Sequence, residues 1–336
     1  MPKIELHRHL SGALSSRAMF DIALENGFPV EGTGLDDFRK LTSMYSEKPD
    51  FHTFLGKFIA RSRFITDKSC VDKIVQNVVR EAAEDNIIHL ELRFSADHFS
   101  RHMGFDMEEI TEHIISTAIK EADNHSMNIV FIMTLSRHIL FDINSQMADI
   151  CLNSELSRYF AGIDIAGDEA SYSLEELMPL IRKATKADKK ITIHAGEAGP
   201  SSNVDEAIEA GASRIGHGIK SFSDPTVLAK AVQRGIPYEV CPTSNIQTGT
   251  VKSIQQLDIK RVMKSGAVIT INTDDPGVSD TDLSNEYSII QDIFQLTHDD
   301  IRSLLLHAAS SAFISEEDKN ILKNKINDYF KDHDTF

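Results

Sequence analysis

Eight short apolar runs alternate with amphipathic helical patterns along this chain, and this alternation constrains the fold more than any other feature. Each parallel strand needs a crossover helix before the next, so the pattern indicates β/α units. Eight units predict a closed (β/α)8 barrel, the TIM barrel, in preference to an open sheet. The candidate strands are KIELHRH (3–9), IIHLELRFS (87–95), NIVFIMTLSR (128–137), FAGIDIAGDE (160–169), KITIHAGE (190–197), ASRIGHG (212–218), IPYEVCP (236–242) and AVITINTDD (267–275).

Helical periodicity lies between these strands and again after the last one. The stretch from residue 282 to residue 336 predicts further helices that close the barrel. The clearest patterns between strands are at 71–85, 107–123, 173–186 and 253–266.

Nearly eighty residues separate the first two candidate strands, which leaves room for extra helices at 15–27 and 50–64. Because this gap opens at the C-terminal end of the first strand, we expect an insertion over about 11–70 to cover the barrel mouth as a lid. The alternative is a helical layer beside the barrel, with the same phenylalanines in its core. The expected apolar underside of the lid is Phe51, Phe54, Leu55 and Phe58.

Composition limits the possible partners and the possible setting of the protein. At 336 residues and 41% hydrophobic content, the chain suits one barrel-sized domain over 1–336. Its formal charge of −16 argues against nucleic acid and anionic membranes, which favour clustered Lys and Arg. No apolar run reaches the roughly 18 residues of a membrane span, and the N-terminal residues lack a signal-peptide pattern. The isolated Cys70, Cys151 and Cys241 form no disulfide or zinc pattern, so we expect a reducing cytoplasm.

Side chains of metal-ligand type stand where three of the strands end. Alternation places Asp274 with Thr270 and Asn272 on one face of the last strand, opposite Ile269 and Ile271, so Asp274 should point into the barrel. The same reasoning directs three imidazoles inward, at the end where such barrels place their active sites. The predicted ligand set is His7, His9, His194 and Asp274.

Three imidazoles and one carboxylate suit a divalent transition metal, for which we expect one Zn²⁺ per chain with a position left for water. Such an ion lowers the pKa of bound water from about 15.7 towards about 7 and so supplies hydroxide near neutral pH.

Six motifs extend this interpretation to a family. HRHLSG, IAGDE, IHAGEAG, RIGHG, CPTSN and NTDDPG occur in this order along essentially the whole chain. In order and approximate spacing they resemble the adenosine deaminase family of metal-dependent amidohydrolases. The resemblance implies a mononuclear zinc (β/α)8 barrel that replaces the 6-amino group of an adenine ring by oxygen and releases ammonia.

The resemblance also implies a role for each matching residue. His7, His9, His194 and Asp274 match the zinc ligands, and Asp274 is counted among the catalytic residues as well. Glu197 matches the residue that protonates purine N1, and His217 matches the histidine that orients the attacking water and helps to deprotonate it. Substrate contacts are implied for His9, Ser11, Gly167, whose N–H would meet N3, and Asp275, which would bond N7.

Each assignment has a plainer alternative. Glu197 could orient a ligand histidine, His217 could be structural, and Gly167 could simply end a strand. Arg93, Arg137 and His138 are interpreted as structural or supporting charges. Cys241 is interpreted as a small buried hydrophobe.

Ser11 departs from the family pattern, because HLSG stands where adenosine deaminases usually have HLDG. A neutral hydroxyl still bonds a ribose 5′-OH but no longer repels a negative or bulky 5′-substituent. Adenosine and 2′-deoxyadenosine, converted to inosine products, are the expected purine nucleoside substrates. The alternatives are a 5′-modified adenosine such as aminodeoxyfutalosine, an N6-modified AMP, or free adenine.

Two other classes of protein fit this sequence less well. A two-metal hydrolase usually needs a carboxylated lysine at a strand end, and the fourth strand ends in AGDE without one. A silent binding protein would have no need of the complete set of ligands, acid and base. The sequence favours neither a monomer nor a homo-oligomer.

Overall fold

A computed structural model describes residues 1–28, 30 and 34–333, with the backbone alone at 102, 103 and 333. Its eight strands are all parallel and hydrogen-bonded in sequence order. The first and last are joined by a bridge between Arg8 and Asp274, with His9 N donating to Asp274 O and Asp274 N donating to His7 O, both at 2.9 Å. The predicted (β/α)8 barrel is therefore confirmed. The strands are β1 Lys3–His9, β2 Ile87–Phe94, β3 Asn128–Ser136, β4 Phe160–Ala166, β5 Lys190–Ala195, β6 Arg214–His217, β7 Tyr238–Val240 and β8 Ile269–Ile271.

All eight candidate strands are present; the first has the predicted bounds, and the other seven are shorter than predicted, the last one most of all. Successive residues of these strands face opposite sides of the sheet, as the sequence pattern predicts. In β4, Ile163 and Ile165 are fully buried, while Asp164 between them bonds His194 inside the barrel. The apolar core thus lies between strands and helices, and the polar side chains line the barrel interior.

Helices follow the strands and surround the barrel. They are α1 Leu10–Ala13, α2 Ser16–Glu25, α3 Leu35–Thr42, α4 Phe51–Ser62, α5 Lys68–Glu84, α6 Ala96–Met103, α7 Met107–Asn124, α8 Phe141–Asn153, α9 Met178–Lys186, α10 Ser201–Glu209, α11 Pro225–Arg234, α12 Pro242–Gln247, α13 Ile259–Lys264, α14 Pro276–Ser279, α15 Leu283–Phe294, α16 His298–Ser311 and α17 Glu316–His333. Short 3₁₀ turns lie at Glu155–Tyr159, Glu175–Leu177, Ile219–Ser223 and Ile254–Leu257.

One predicted helix is interrupted. The pattern over 253–266 forms a 3₁₀ turn and then α13, because Asp258 between them has a φ of +42°. A left-handed residue ends one helical segment before the next begins, so the prediction of one continuous helix is wrong there.

The long connection after β1 holds α1 to α5, and two of these helices, α1 and α4, pack against α14 in the segment that follows β8. On α4, Phe54 is buried against Met44 and Val278, and Phe58 packs beside them. The Arg61 guanidinium, also from α4, donates to the carbonyl oxygens of Leu14 and Thr42. These contacts join α4 to α14, to the residue after α1 and to the end of α3; its role as a lid stays a prediction.

The predicted bounds, 1–336 for the domain and 11–70 for the insertion, include residues 29, 31–33 and 334–336, which lie outside the described residues. Within the described ranges, no helix is long and apolar enough to cross a membrane.

Candidate metal centre and catalytic site

Four side chains from three strands converge inside the mouth of the barrel. His7 and His9 come from β1, His194 from β5, and Asp274 follows β8. One ligand atom of each lies within 4.8 Å of every other. The His9 and His194 Nε2 atoms are 3.3 Å apart, and Asp274 Oδ1 lies 3.3 Å from His7 Nε2 and 3.5 Å from His9 Nε2. The structure brings the whole predicted ligand set together.

A left-handed backbone conformation orients two side chains of the site. Asp274 has a φ of +64° and His217 a φ of +59°. Such a conformation costs a non-glycine residue about 1–3 kcal/mol and persists only where surrounding contacts hold it. It ends the extended conformation of the strand and turns each side chain towards the centre of the site.

A second layer of acceptors fixes the orientation of two imidazoles. His7 Nδ1 lies 2.6 Å from Glu239 Oε2, and His194 Nδ1 lies 2.9 Å from Asp164 Oδ1. Because a carboxylate only accepts, each Nδ1 carries the proton and each Nε2 presents its lone pair to the centre. The carboxylate of Asp274 accepts a hydrogen bond from Ser244 Oγ at 2.7 Å.

The donor set fits a metal ion. His7 Nε2 is buried and has no hydrogen-bond partner among the described residues. A buried, unpartnered nitrogen lone pair is costly, and a divalent ion with nitrogen and oxygen ligands would satisfy it.

A network of buried charges lies beneath the ligands. Glu239 accepts from Arg93 at 3.0 Å and from Arg214 at 2.5 Å, and Arg214 continues to Glu91, also at 2.5 Å. Asp164 completes the network, 3.5 Å from Arg93. Burial opposes ionisation of Glu239, but the two guanidinium groups outweigh it and hold the pKa of Glu239 well below its usual range.

Glu197 stands just beyond β5, beside the ligands. Its backbone N–H donates to Glu169 at 2.6 Å, and its Oε2 lies 3.5 Å from His217 Nε2. Burial, and after it the negative charge of Asp274, raises the pKa of Glu197 to about 8. The carboxyl is therefore protonated near neutral pH, as a proton donor must be.

The imidazole of His217 is also buried, and its Nδ1 has one hydrogen-bond partner, Asn245. Its Nδ1 lies 3.0 Å from Asn245 Nδ2, while Asn245 Oδ1 has no partner within the described part of the chain. With the amide turned over, Nδ1–H donates to Oδ1 and leaves Nε2 free as a base, which satisfies both groups. Burial lowers the pKa of His217 well below 6.5, so the ring is neutral.

Asp275 is buried against α1. A Cβ added at Gly12 would lie 1.9 Å from Asp275 Oδ1, so only glycine allows this contact. Asp275 Oδ1 has no hydrogen-bond partner among the described side chains and backbone groups. Burial, and then the charge of Asp274, raises the pKa of Asp275 well above its usual range. Ser11, next to Gly12 in the same short helix, is half-buried.

Gly167 follows β4 with a φ of +92°. A Cβ there would lie 2.5 Å from Ser136 Oγ and 2.8 Å from His138 Nδ1. Both the backbone conformation and the close side chains require glycine at this position.

Sequence reasoning missed the groups that orient the ligands. Asp164 and Glu239 are each a single acid inside an apolar strand, on the inward face, and that signal could have identified them. The assignment of Arg93 and Arg137 as supporting charges agrees with their contacts, since Arg137 donates to His194 O at 2.9 Å. Cys241 is fully buried, as predicted.

Comparisons with known proteins agree along the full length of the chain. A family model described as adenosine deaminase matches residues 2–329. An adenosine deaminase of Clostridium botulinum (strain Kyoto / Type A2) is 32% identical over 333 residues, 98% of each chain. Among solved structures, an adenine deaminase from Arthrobacter aurescens has a TM-score of 0.88 at 22% identity, over 98% of this chain and 99% of that one. An Arabidopsis N6-mAMP deaminase has a TM-score of 0.85 at 24% identity, over 98% of each. At these identities, the two solved structures show a shared fold.

Proposed function

The chain belongs to the adenosine deaminase family and is a hydrolase of C–N bonds, and from this premise we propose that it is a zinc-dependent enzyme that deaminates adenosine and 2′-deoxyadenosine. The products are inosine or 2′-deoxyinosine and ammonia. The observation that carries the proposal is the convergence of His7, His9, His194 and Asp274 within 4.8 Å, with Glu197 and His217 beside them.

The buried charges support a divalent ion. With Asp274 included, the network beneath the ligands has four carboxylates, Glu91, Asp164, Glu239 and Asp274, against Arg93 and Arg214. The excess of two negative charges is what a dication would neutralise. When bound, zinc would supply hydroxide near neutral pH and polarise the reacting centre.

The residues around the ligands match the needs of an adenine ring. A neutral Glu197 can donate its proton to N1, which makes C6 electrophilic. His217, held at Nδ1 by Asn245, can take a proton at Nε2. Asp275, whose pKa is raised, can donate to N7, which is an acceptor. The backbone N–H of Gly167 is the proposed partner of N3.

The identity of the substrate depends on what stands near the sugar. Ser11 shares α1 with Gly12, which touches Asp275, so α1 lies at the N7 side of the proposed base position. A serine there accepts a plain ribose and tolerates a 5′-substituent. A 5′-modified adenosine, an N6-modified AMP and free adenine are therefore retained as alternatives, and proteins that share the fold carry the names adenine deaminase and N6-mAMP deaminase.

The deciding experiment measures kcat/KM for adenine, adenosine, AMP and 5′-extended adenosines side by side, together with the metal content of the purified protein. We expect the highest value for adenosine and one equivalent of zinc. Two equivalents of metal would favour a dinuclear hydrolase, and no ammonia from any of these compounds would reject the deaminase.

A single substitution tests the sugar side separately. We expect Ser11→Asp to shift the preference towards unmodified adenosine, because a carboxylate accepts the 5′-OH and repels anionic 5′-groups. An unchanged ratio of kcat/KM values for adenosine and AMP would show that Ser11 does not face the ribose.

We also propose that the helices after β1 act as a lid over the mouth, with α4 as its inner wall. The packing of Phe54 on Val278, four residues beyond Asp274, supports this position. A cytoplasmic location remains a prediction from cysteine usage.

A further inference from the structure

Ser136 lies inside the barrel, at the level of the mouth. Strand alternation puts it on the same face of β3 as Thr134, whose Oγ1 lies 3.4 Å from Asp164 Oδ2. Asp164 holds His194, so Thr134 marks the level of the ligands' supporting groups. Ser136 is one step further towards the mouth and only 7% exposed.

Ser136, His138 and Gly167 lie in close contact at the mouth of the barrel. Ser136 Oγ is 3.0 Å from His138 Nδ1, and both atoms lie within 2.8 Å of the position that a Cβ at Gly167 would occupy. The serine hydroxyl therefore sits beside Gly167 on the inner surface of the barrel. Its bond to a single ring nitrogen leaves part of its donor and acceptor capacity unused.

The chemistry of adenine determines what would meet this hydroxyl. N3 and N9 are both bonded to C4, so a substituent on N9 lies beside whatever group binds N3. N9 is also at the opposite end of the ring system from C6, which must face the metal ligands. A sugar on N9 would consequently lie next to Gly167, on the mouth side of the ligands.

We propose that Ser136 binds a hydroxyl of the N9 sugar and is a specificity-determining residue; this inference rests on the proposed function, through the contact between Gly167 and N3. Depending on its tautomer, His138 accepts from Ser136 or donates to it, so Ser136 can either receive a hydrogen bond from the sugar or give one. Beyond His138, a cavity of about 480 Å³ bordered by Phe141 and Tyr172 opens to the surface and leaves space for groups attached to the sugar.

The test combines Ser136→Ala with substrates that each lack one hydroxyl. Initial rates are measured for adenosine and for its 2′-, 3′- and 5′-deoxy analogues, with zinc content checked for each protein. We expect Ser136→Ala to raise the KM for adenosine about fivefold, the effect of one lost hydrogen bond, with kcat unchanged. For one deoxy analogue the variant and the wild type should have equal KM, because that analogue lacks the partner of Ser136.

Ser154→Ala is the matched control. Ser154 is a half-buried serine, but it precedes β4, at the end of the barrel away from the mouth, and its Oγ donates to the Ile150 carbonyl oxygen at 2.8 Å. We expect wild-type kinetics from this variant for all four substrates.

Three results would overturn the inference: an equal KM increase for all four substrates, no increase for any, or a wild type that prefers free adenine to adenosine. A wild type inactive on every adenine compound would instead reject the proposed function, so the two failures are distinguishable.

Discussion

Asp164→Asn tests whether the second layer orients the metal ligands. In the wild type, His194 Nδ1–H donates to Asp164 at 2.9 Å, and the carboxylate is ionised, because this hydrogen bond and the charge of Arg93 outweigh the effect of burial and lower the pKa of Asp164. Asparagine keeps the shape and removes the charge. If its oxygen faces His194, the imidazole becomes a weaker donor to the metal; if its nitrogen does, Nδ1 must accept and Nε2 carries the proton.

Either arrangement weakens the bond to the metal. Loss of such a supporting carboxylate lowers metal affinity about 10- to 100-fold, or about 1.4–2.8 kcal/mol. The assay is a competition titration of the metal-free protein with zinc and a chromophoric chelator, followed by kcat at saturating zinc. We expect the Kd for zinc to rise within that range, and kcat to recover largely with excess zinc, because Asp164 lies beneath the ligands and away from the proposed base.

Glu91→Gln is the matched control. Glu91 is as deeply buried in the same network, but its partners are Arg214, the Phe313 N–H and, at 3.6 Å, the His89 imidazole, and none of these is a candidate ligand. We expect this variant to lose stability while its Kd for zinc stays within about twofold of wild type. If both variants lost zinc affinity equally, the loss would come from the changed net charge of the barrel interior and not from the orientation of His194. An unchanged Kd for zinc in Asp164→Asn would show that Asp164 does not support His194 as a ligand.

Three further predictions concern the proton donor, the base and stability. Glu197→Gln should lower kcat by about 10²- to 10⁴-fold with zinc still bound, because the amide has no proton to give N1. Asn245→Ala should lower kcat about fivefold at unchanged KM, since His217 loses the hydrogen bond that sets its tautomer. Burial raises the pKa of Glu286 from 4.5 to about 7. Between these two pH values the folded state keeps the proton on Glu286 while the unfolded chain loses it, so the free energy of unfolding falls as the pH rises through that window. Glu286→Gln should remove about 3 kcal/mol of that loss, measured by urea unfolding at pH 5 and pH 8.

Each of these predictions has an outcome that contradicts it. Substantial deamination by Glu197→Gln would exclude it as the proton donor. A parallel change of kcat and KM in Asn245→Ala would indicate a general distortion of the site. Equal pH dependence of the unfolding free energy in Glu286→Gln and wild type would show that Glu286 ionises in the folded state as it does in the unfolded chain.

Much of the site could be predicted from the chain alone. The two-residue period of a strand shows which side chains share a face, and parallel strands bring their C-terminal ends to one edge. These two rules were sufficient to place His194 and Asp274 together, although they come from β5 and β8. Both rules are local, so they need no knowledge of which distant residues touch.

Contacts between distant segments required the tertiary structure. In β1 the register shifts between Glu5 and Arg8, where the Glu5 side chain accepts the His7 N–H at 3.2 Å, so alternation alone does not describe this strand. The proximity of Gly12 to Asp275 and the sharing of Glu239 by two arginines likewise join residues far apart in sequence.

The pattern of residues thus determined the barrel and predicted the candidate ligand set, because strand alternation and strand order are properties of short segments. The tertiary structure decided which acids orient those ligands, where the helices after β1 lie, and which carboxyls retain their protons. These outcomes depend on burial and on distances between side chains, and both arise only when remote parts of the chain pack together.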